Sequence, residues 1–369
     1  MRILLVSDAW EPQVNGVVRT LQKTAETLSA CHQVHVLSPQ NRTTLPCPSY
    51  PEIRLTLRPN KAVRECMQAQ DYDAIHIATE GPLGMAMRRY CVKHGLQFTS
   101  SYHTRFPEYL RMRAPVPLSL SYKFLRWFHR PATRTFVRTE TQRQLMTERG
   151  FRHLEIWPGG VDTNLFRPCD KDALDLPRPI ATYMGRVALE KNIEAFLDLE
   201  LPGSKVVIGG GPALDKLKQR YPDVHFLGYR HGEALARTLA SSDVFVFPSR
   251  TDTLGLVILE AMACGIPVAA YPVPGPQDLI IDNGNGAMDE NLRDAVFRAL
   301  AVCSENCVEY ASRFSWQACT NHFLQRLVPA DDQTTSLGES RDPSSLAYNS
   351  TQCRSSLQVP KPASTTLLN

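Results

Sequence analysis

Asp252 and Glu260 stand out in SRTDTLGLVILEAMACGIP (249–267), because the run around them is largely apolar and Gly255 separates the two carboxylates. A helix starting near Gly255 leaves its first N–H groups free at the positive end of the dipole, a natural seat for phosphate. Glycine permits close backbone approach at that point. Glu260 then falls within the helix and Asp252 in the loop ahead of it. Eight residues of ideal helix span about 12 Å, which suits a ligand whose two hydroxyl-bearing ends flank a diphosphate, since carboxylates accept hydrogen bonds from sugar hydroxyls. The same pattern also fits a plain helix with an acidic group at its N-terminus. Arg186 and Lys191, in GRVALEKNIEAF, supply two cations able to hold a diphosphate and stabilise it as a leaving group. A solvated loop with a surface lysine is the competing reading.

These groups need a scaffold that gathers distant segments at one edge. Short β-branched runs alternate with helical patterns, which predicts parallel strands joined by crossover helices. In the first half the strands are expected at 3–6, 34–37, 74–77 and 98–101, with helices over 17–29 and 82–93. In the second they are expected at 180–184, 205–208, 224–227, 243–247 and 268–270. Asn15-Gly16, His103, Gly185-Arg186, Gly209–Gly211 and Asp252 all follow predicted strands, and open parallel sheets bind ligands outside those carboxyl ends. Two doubly wound halves facing a shared cleft follow, with a hinge around 160–178. His103 alone reads as a structural histidine; its place opposite the second-half motifs makes it a site residue. Gly209–Gly211 lacks the dinucleotide fingerprint and reads as tight strand-to-helix packing, and His76 reads as a core residue.

The composition, 43% hydrophobic and 21% charged over 369 residues, is that of a soluble globular chain. The net charge of +4 says nothing about nucleic acid by itself, and no recognition motif for it is present. Ten cysteines without a CxxC pair read as reduced thiols of a cytoplasmic protein. MRILLVSDAW breaks too early for a signal peptide, and no apolar run has membrane-spanning length. Residues 329–369 hold thirteen Ser/Thr and one aromatic, so this tail is expected to be disordered.

GRVALEKNIEAF, VVIGGGP and FPSRTDTLGLVILEAMACGIPV, in that order, resemble the retaining glycosyltransferases of family 4, which have the GT-B fold. PQVNGVVRTL, SYHTRFPEYL and GGVDTNLFRP are similar to the branch of GDP-mannose-dependent α-mannosyltransferases and sulfoquinovosyl-diacylglycerol synthases. The resemblance covers 1 to about 327. It implies an acceptor-side domain at 1–168, a nucleotide-sugar domain at 169–308, and a helix at 309–328 crossing back to the first domain. It further implies that Glu260 binds the ribose, Arg186 and Lys191 the diphosphate, and Gly185 and the backbone around Leu254, Gly255, Leu256 and Val257 the donor. Asn15 and Gly16 would close from the other domain, and His103 would lie beside the donor sugar. Asp252 stands where the family has a glutamate, one methylene longer. Same-face displacement needs leaving-group stabilisation more than a protein base, so neither cofactor nor metal is expected. DYD (71–73) reads as a strand approach rather than a metal site.

The resemblance therefore implies hexose transfer, mannose first, to a lipid or lipid-linked glycan, with a UDP-sugar-dependent glucosyl or sulfoquinovosyl glycolipid synthase as the alternative. A sugar-nucleotide epimerase and a non-catalytic nucleotide-sugar binder are the readings from other classes. Between Tyr109 and Thr139 there is no acidic residue, while basic residues from Arg111 to Arg138 interleave with Tyr122, Phe124, Trp127 and Phe128. LSLSYKFLRWFHR is expected to form an amphipathic helix ending before Pro131. Segment 111–138 could dock the protein on an anionic membrane, or be a solvated face with its aromatics turned inward.

Overall fold

The computed structural model describes residues 1–331 apart from 14, 48, 49 and 114. The first half contains β1 (Arg2–Val6), β2 (Gln33–Leu37), a hairpin of β3 (Thr44–Cys47) and β4 (Tyr50–Thr56), then β5 (Ala74–Ile77), β6 (Thr99–Ser101), β7 (Arg134–Val137) and β8 (Leu154–Ile156). Six of these form one sheet in the order β2-β1-β5-β6-β7-β8, parallel throughout. Its helices are α1 (Gly16–Ser29), α2 (Pro59–Ala69), α3 (Pro82–His94), α4 (Phe106–Arg113), α5 (Leu118–His129) and α6 (Glu140–Glu148).

The second half repeats the plan with β9 (Ile180–Met184), β10 (Ser204–Ile208), β11 (His225–Gly228), β12 (Val244–Phe247), β13 (Val268–Ala270) and β14 (Gly286–Met288). Their order is β11-β10-β9-β12-β13-β14, again parallel. Between them run α7 (Glu194–Leu197), α8 (Leu214–Arg220), α9 (Gly232–Ala240), α10 (Leu256–Ala263), α11 (Pro276–Leu279) and α12 (Leu292–Ala299). In each sheet the winding reverses beside the first strand, at β1/β5 and at β9/β12. Helices cover both faces, so β5, β9 and β12 are buried at every position and read as near-continuous apolar runs.

The chain closes with α13 (Ser304–Ser312) and α14 (Trp316–Leu324). The single crossing helix expected over 309–328 is therefore two. α13 packs on α10, and only α14 packs back on α1. The break has a cause: Ser315 caps α14, its hydroxyl accepting from Ala318 N at 3.1 Å. Trp316, Cys319 and Phe323 join Ile3, Leu5, Leu21 and Trp157 in one apolar cluster, and Phe323 stacks on Trp157 at 4.3 Å. The packed chain also runs past the composition break at 329. Ala330 is buried, donates to Asp73 O and accepts from Gln97 N. Residues 332–369 of the expected disordered tail lie outside the described residues.

Candidate functional site

α10 is the centre of the site. Gly255 caps it with φ +84°, a left-handed conformation that a side chain would strain. Leu-Val-Ile-Leu-Glu-Ala-Met-Ala then forms a helix buried from Ile258 onward, with its tip at the carboxyl edge of the second sheet. The tip meets the first half directly. A Cβ on Gly16 would lie 3.7 Å from Leu256 Cδ1, and one on Gly159 would lie 2.8 Å from Leu256 Cδ2. A side chain at 159 would therefore have to displace the Leu254 and Leu256 side chains where the loop after β8 approaches α10. Asn15 caps α1, its Oδ1 accepting from Val17 N and Val18 N at 3.0 Å each. The N-termini of α1 and α10 therefore converge on the same seam.

Lys191 and Asp252 form an ion pair. The local chain holds them together: Asn192 Nδ2 donates to Pro248 O at 3.1 Å, and Thr251 Oγ1 donates to Glu190 O at 3.2 Å. These bonds tie the one-turn 3-10 helix Leu189–Lys191 to the loop after β12. Burial opposes a charge on Lys191, but Asp252, Tyr109 and Tyr183 around it hold its pKa above the ordinary lysine value. Asp252 Oδ2 is buried without a partner. Arg186 Nη1 lies 3.9 Å from Glu190 Oε1, and Tyr183 Oη donates to Arg186 O at 2.7 Å. Gly185 N donates to Ile208 O at 2.9 Å and Val187 N to Gly210 O at 2.9 Å, and a Cβ on Gly211 would lie 2.4 Å from Val187 O, so Gly209–Gly211 packs on the loop after β9.

Glu260 is 2% exposed and paired with Arg19 of α1. Burial raises its pKa, with the Arg19 guanidinium opposing. Its second oxygen has no partner. His103, after β6, is buried with Nε2 unpartnered, and its ring meets Trp157 edge-on at 5.5 Å. Burial, then the nearby Arg138 charge, depress its pKa well below the usual histidine value, so the ring is neutral. Its carbonyl accepts from Thr253 Oγ1 at 2.7 Å across the seam. Tyr109 Oη donates to Asp252 Oδ1 at 3.4 Å, and burial pushes the Tyr109 pKa up to about 12.

The structure thus gathers Asn15, Gly16, His103, Leu254, Gly255, Leu256 and Glu260 along the seam, with Lys191 and Asp252 paired beside it. Val257 lies in the first turn of α10, and Arg186 follows β9 at the same sheet edge. Sequence reasoning missed Arg19, Tyr109 and Thr253. Arg138 was assigned to a basic surface and is instead 5% exposed at the end of β7, because RTFV is a strand inside the sheet. Arg134 is likewise drawn inward, donating to Arg326 O at 2.9 Å. Segment 111–138 is therefore not one continuous surface. Within it α5 buries Tyr122, Leu125 and Phe128 and turns Leu120, Phe124 and Trp127 outward, 60%, 41% and 48% exposed. Asp73 accepts from Arg2 N at 2.6 Å at the opposite edge of the sheet.

With this geometry in place, comparison with known proteins is informative. Residues 14–165 match the family described as Glycosyltransferase Family 4, and 170–301 match Glycosyl transferases group 1. The chain is a glycosyltransferase that carries these two family domains in tandem. A GDP-mannose-dependent alpha-mannosyltransferase of Mycobacterium tuberculosis is 27% identical over 80% of this chain and 87% of its own. Sulfoquinovosyl transferase SQD2 of Arabidopsis thaliana is 30% identical over 66% of this chain and 51% of its own. Among solved structures, a sucrose-phosphate synthase from Thermosynechococcus elongatus superposes with a TM-score of 0.73, at 23% identity, over 88% of this chain and 97% of its own. Anabaena HepE in complex with UDP and glucose gives 0.69, at 17% identity, over 88% and 98%. The architecture of this glycosyltransferase is GT-B, with its two parallel-sheet halves.

Proposed function

We propose that this glycosyltransferase moves a hexose, mannose first, from a nucleotide-diphosphate donor to a lipid or lipid-linked glycan, with retention of anomeric configuration and without a metal. The observation carrying the proposal is the convergence of the α10 tip, the Lys191–Asp252 pair and Gly16 at one seam. Free N–H groups at the α10 tip and the Arg186 and Lys191 cations meet the need of a departing diphosphate. Glu260 and Asp252 each keep one buried oxygen without a partner, as acceptors waiting for hydroxyl groups would. His103 is held neutral, so it orients rather than adds charge. In this reading the departing phosphate oxygen takes the acceptor proton, and the protein supplies position and field.

The names of relatives favour mannose and glycolipid chemistry, including an alpha-monoglucosyldiacylglycerol synthase of Streptococcus pneumoniae at 25% identity. A UDP-sugar-dependent glycolipid synthase is the second reading, favoured by that relative and by SQD2. The α5 face with Leu120, Phe124 and Trp127 is the proposed peripheral membrane contact. Incubation with GDP-mannose, UDP-glucose and UDP-sulfoquinovose, with and without lipid extract and with a chelator, tests these statements together. Acceptor-dependent release of GDP, unaffected by chelator and giving an α-linked product by NMR, is the expected result. Isomerised donor, or binding without turnover, overturns it. Flotation with anionic vesicles tests docking, which replacing Leu120, Phe124 and Trp127 by serine should abolish.

A further inference from the structure

Arg138 has no role in the reaction as described. It follows β7 at the same carboxyl edge that carries His103, yet its guanidinium is enclosed and Nη1 has no hydrogen-bond partner. None of the ion pairs among the described residues includes it. Its backbone N donates to Gln142 Oε1 at 2.7 Å, and Gln142 Nε2 is also buried without a partner. The guanidinium carbon sits 5.3 Å from the Trp157 ring centroid, on the same indole that His103 contacts. Nη2 lies 3.5 Å from where a Gly159 Cβ would be, a position flanked by Leu254 and Leu256 of the α10 tip.

Other buried charges of the seam are compensated. Lys191 has Asp252, and Glu260 has Arg19. Among the described residues Arg138 has the Trp157 face and the nearby Cys319 thiol but no carboxylate, and a cation–π contact offsets only part of the cost of desolvating a guanidinium. Burial lowers its pKa, but an arginine stays charged at any working pH. A planar, unpaired guanidinium at a ligand seam, with Gln142 Nε2 as a further unpartnered donor, is the arrangement that receives an oxyanion. Carboxylate side chains are absent from these contacts, so the negative charge must come from the ligand.

We infer that Arg138 is a substrate-binding residue of the first half that holds a phosphate oxygen, uncovered when Leu254 and Leu256 move with the opening of the seam. Two sources share that chemistry, the diphosphate of the donor and a phosphate carried by the acceptor. The donor source rests on the nucleotide-sugar reading above; the acceptor source does not.

Thermal melting of the full chain and of Arg138→Met and Arg138→Lys, titrated with pyrophosphate, GDP, UDP and sn-glycerol 3-phosphate, tests the assignment. Without ligand, Arg138→Met should melt no lower than the native chain, because a cation lacking an anion is removed. At least one probe should bind Arg138→Met ten-fold or more weakly, with partial recovery in Arg138→Lys. Loss confined to pyrophosphate, GDP or UDP assigns the donor, and loss confined to sn-glycerol 3-phosphate assigns the acceptor. Equal binding by native chain and variant overturns the inference while leaving the nucleotide-sugar reading intact. Absence of GDP and UDP binding to the native chain overturns that reading instead, and absence of all binding overturns both. An Arg138→Met chain that melts lower or fails to fold makes Arg138 structural and ends the proposal.

Discussion

Thr253 Oγ1 donates to the backbone carbonyl of His103 at 2.7 Å, joining the loop ahead of α10 to the loop after β6. The bond places a residue of one half under the control of the other, one position after Asp252. Thr253→Val keeps the shape and removes the donor, leaving a partly buried carbonyl unpaired. The expected stability loss is about 1–3 kcal/mol, read as a lower melting temperature. Turnover should fall several-fold through misplacement of His103, with donor affinity changed less. Wild-type melting and turnover in Thr253→Val would mean that the bond does not couple the halves.

Lys191 and Asp252 separate catalytic from structural loss. Lys191→Ala strands the Asp252 carboxylate in a mostly buried place and removes a cation from the proposed leaving group. Turnover should drop at least ~100-fold, equivalent to about 2.7 kcal/mol of transition-state stabilisation. Melting temperature should drop as well, because one partner of a buried pair is left alone. The double variant Lys191→Met with Asp252→Asn should recover melting temperature without recovering turnover. Arg186→Ala should lose a comparable factor in turnover with little change in melting. Recovery of activity in the double variant would remove Lys191 from the chemistry.

Much of this was legible because the decisive strands are buried on both faces. ILLV, AIHI, IATYM and VFVF are unmistakable apolar runs, and the polar clusters after them mark the carboxyl edge. β8 and β14 are three residues each, too short to carry a period. β7 was hidden by its own arginines: RTFVR carries only two apolar residues and no alternation, and the surrounding spacing of basic residues imitates a surface stripe. Arg19 looks like a solvated residue of an amphipathic helix, and only the fold brings Glu260 to it. The break before α14 did leave a signal, since Ser315 ahead of Trp316 is an N-cap residue.

Arg19 and Glu260 form the other tie across the seam. Arg19→Met should leave a buried carboxyl whose pKa burial already raises, so Glu260 should take up a proton more readily. Melting temperature should fall, and the fall should shrink as pH is lowered and the carboxyl is neutralised. Glu260→Gln in the same background should restore most of the loss at neutral pH. In the donor assay Glu260→Gln should raise the donor KM more than it lowers kcat, because a ribose contact is made in ground and transition states alike. An unchanged KM would remove Glu260 from the donor site.

His76 gives the fold a specific acid sensitivity. It lies wholly buried, with Nδ1 2.9 Å from Thr99 Oγ1 and Nε2 2.9 Å from Ser101 Oγ. Phe136, Trp157 and Phe323 surround the ring. Burial lowers its pKa to about 3, so the native state binds it neutral while the unfolded chain protonates it near 6.5. The stability this contributes is complete above pH 6.5 and is lost as pH falls through 6.5 toward 3. Between pH 7 and 5 the loss is about 2 kcal/mol, from the difference in protons bound. His103 is depressed in the same direction, so the comparison must isolate His76. Chemical denaturation of the native chain and His76→Gln at pH 7, 6 and 5 does so. The variant starts less stable, and the gap should narrow by about 2 kcal/mol as pH falls; a constant gap would mean that His76 is not held neutral.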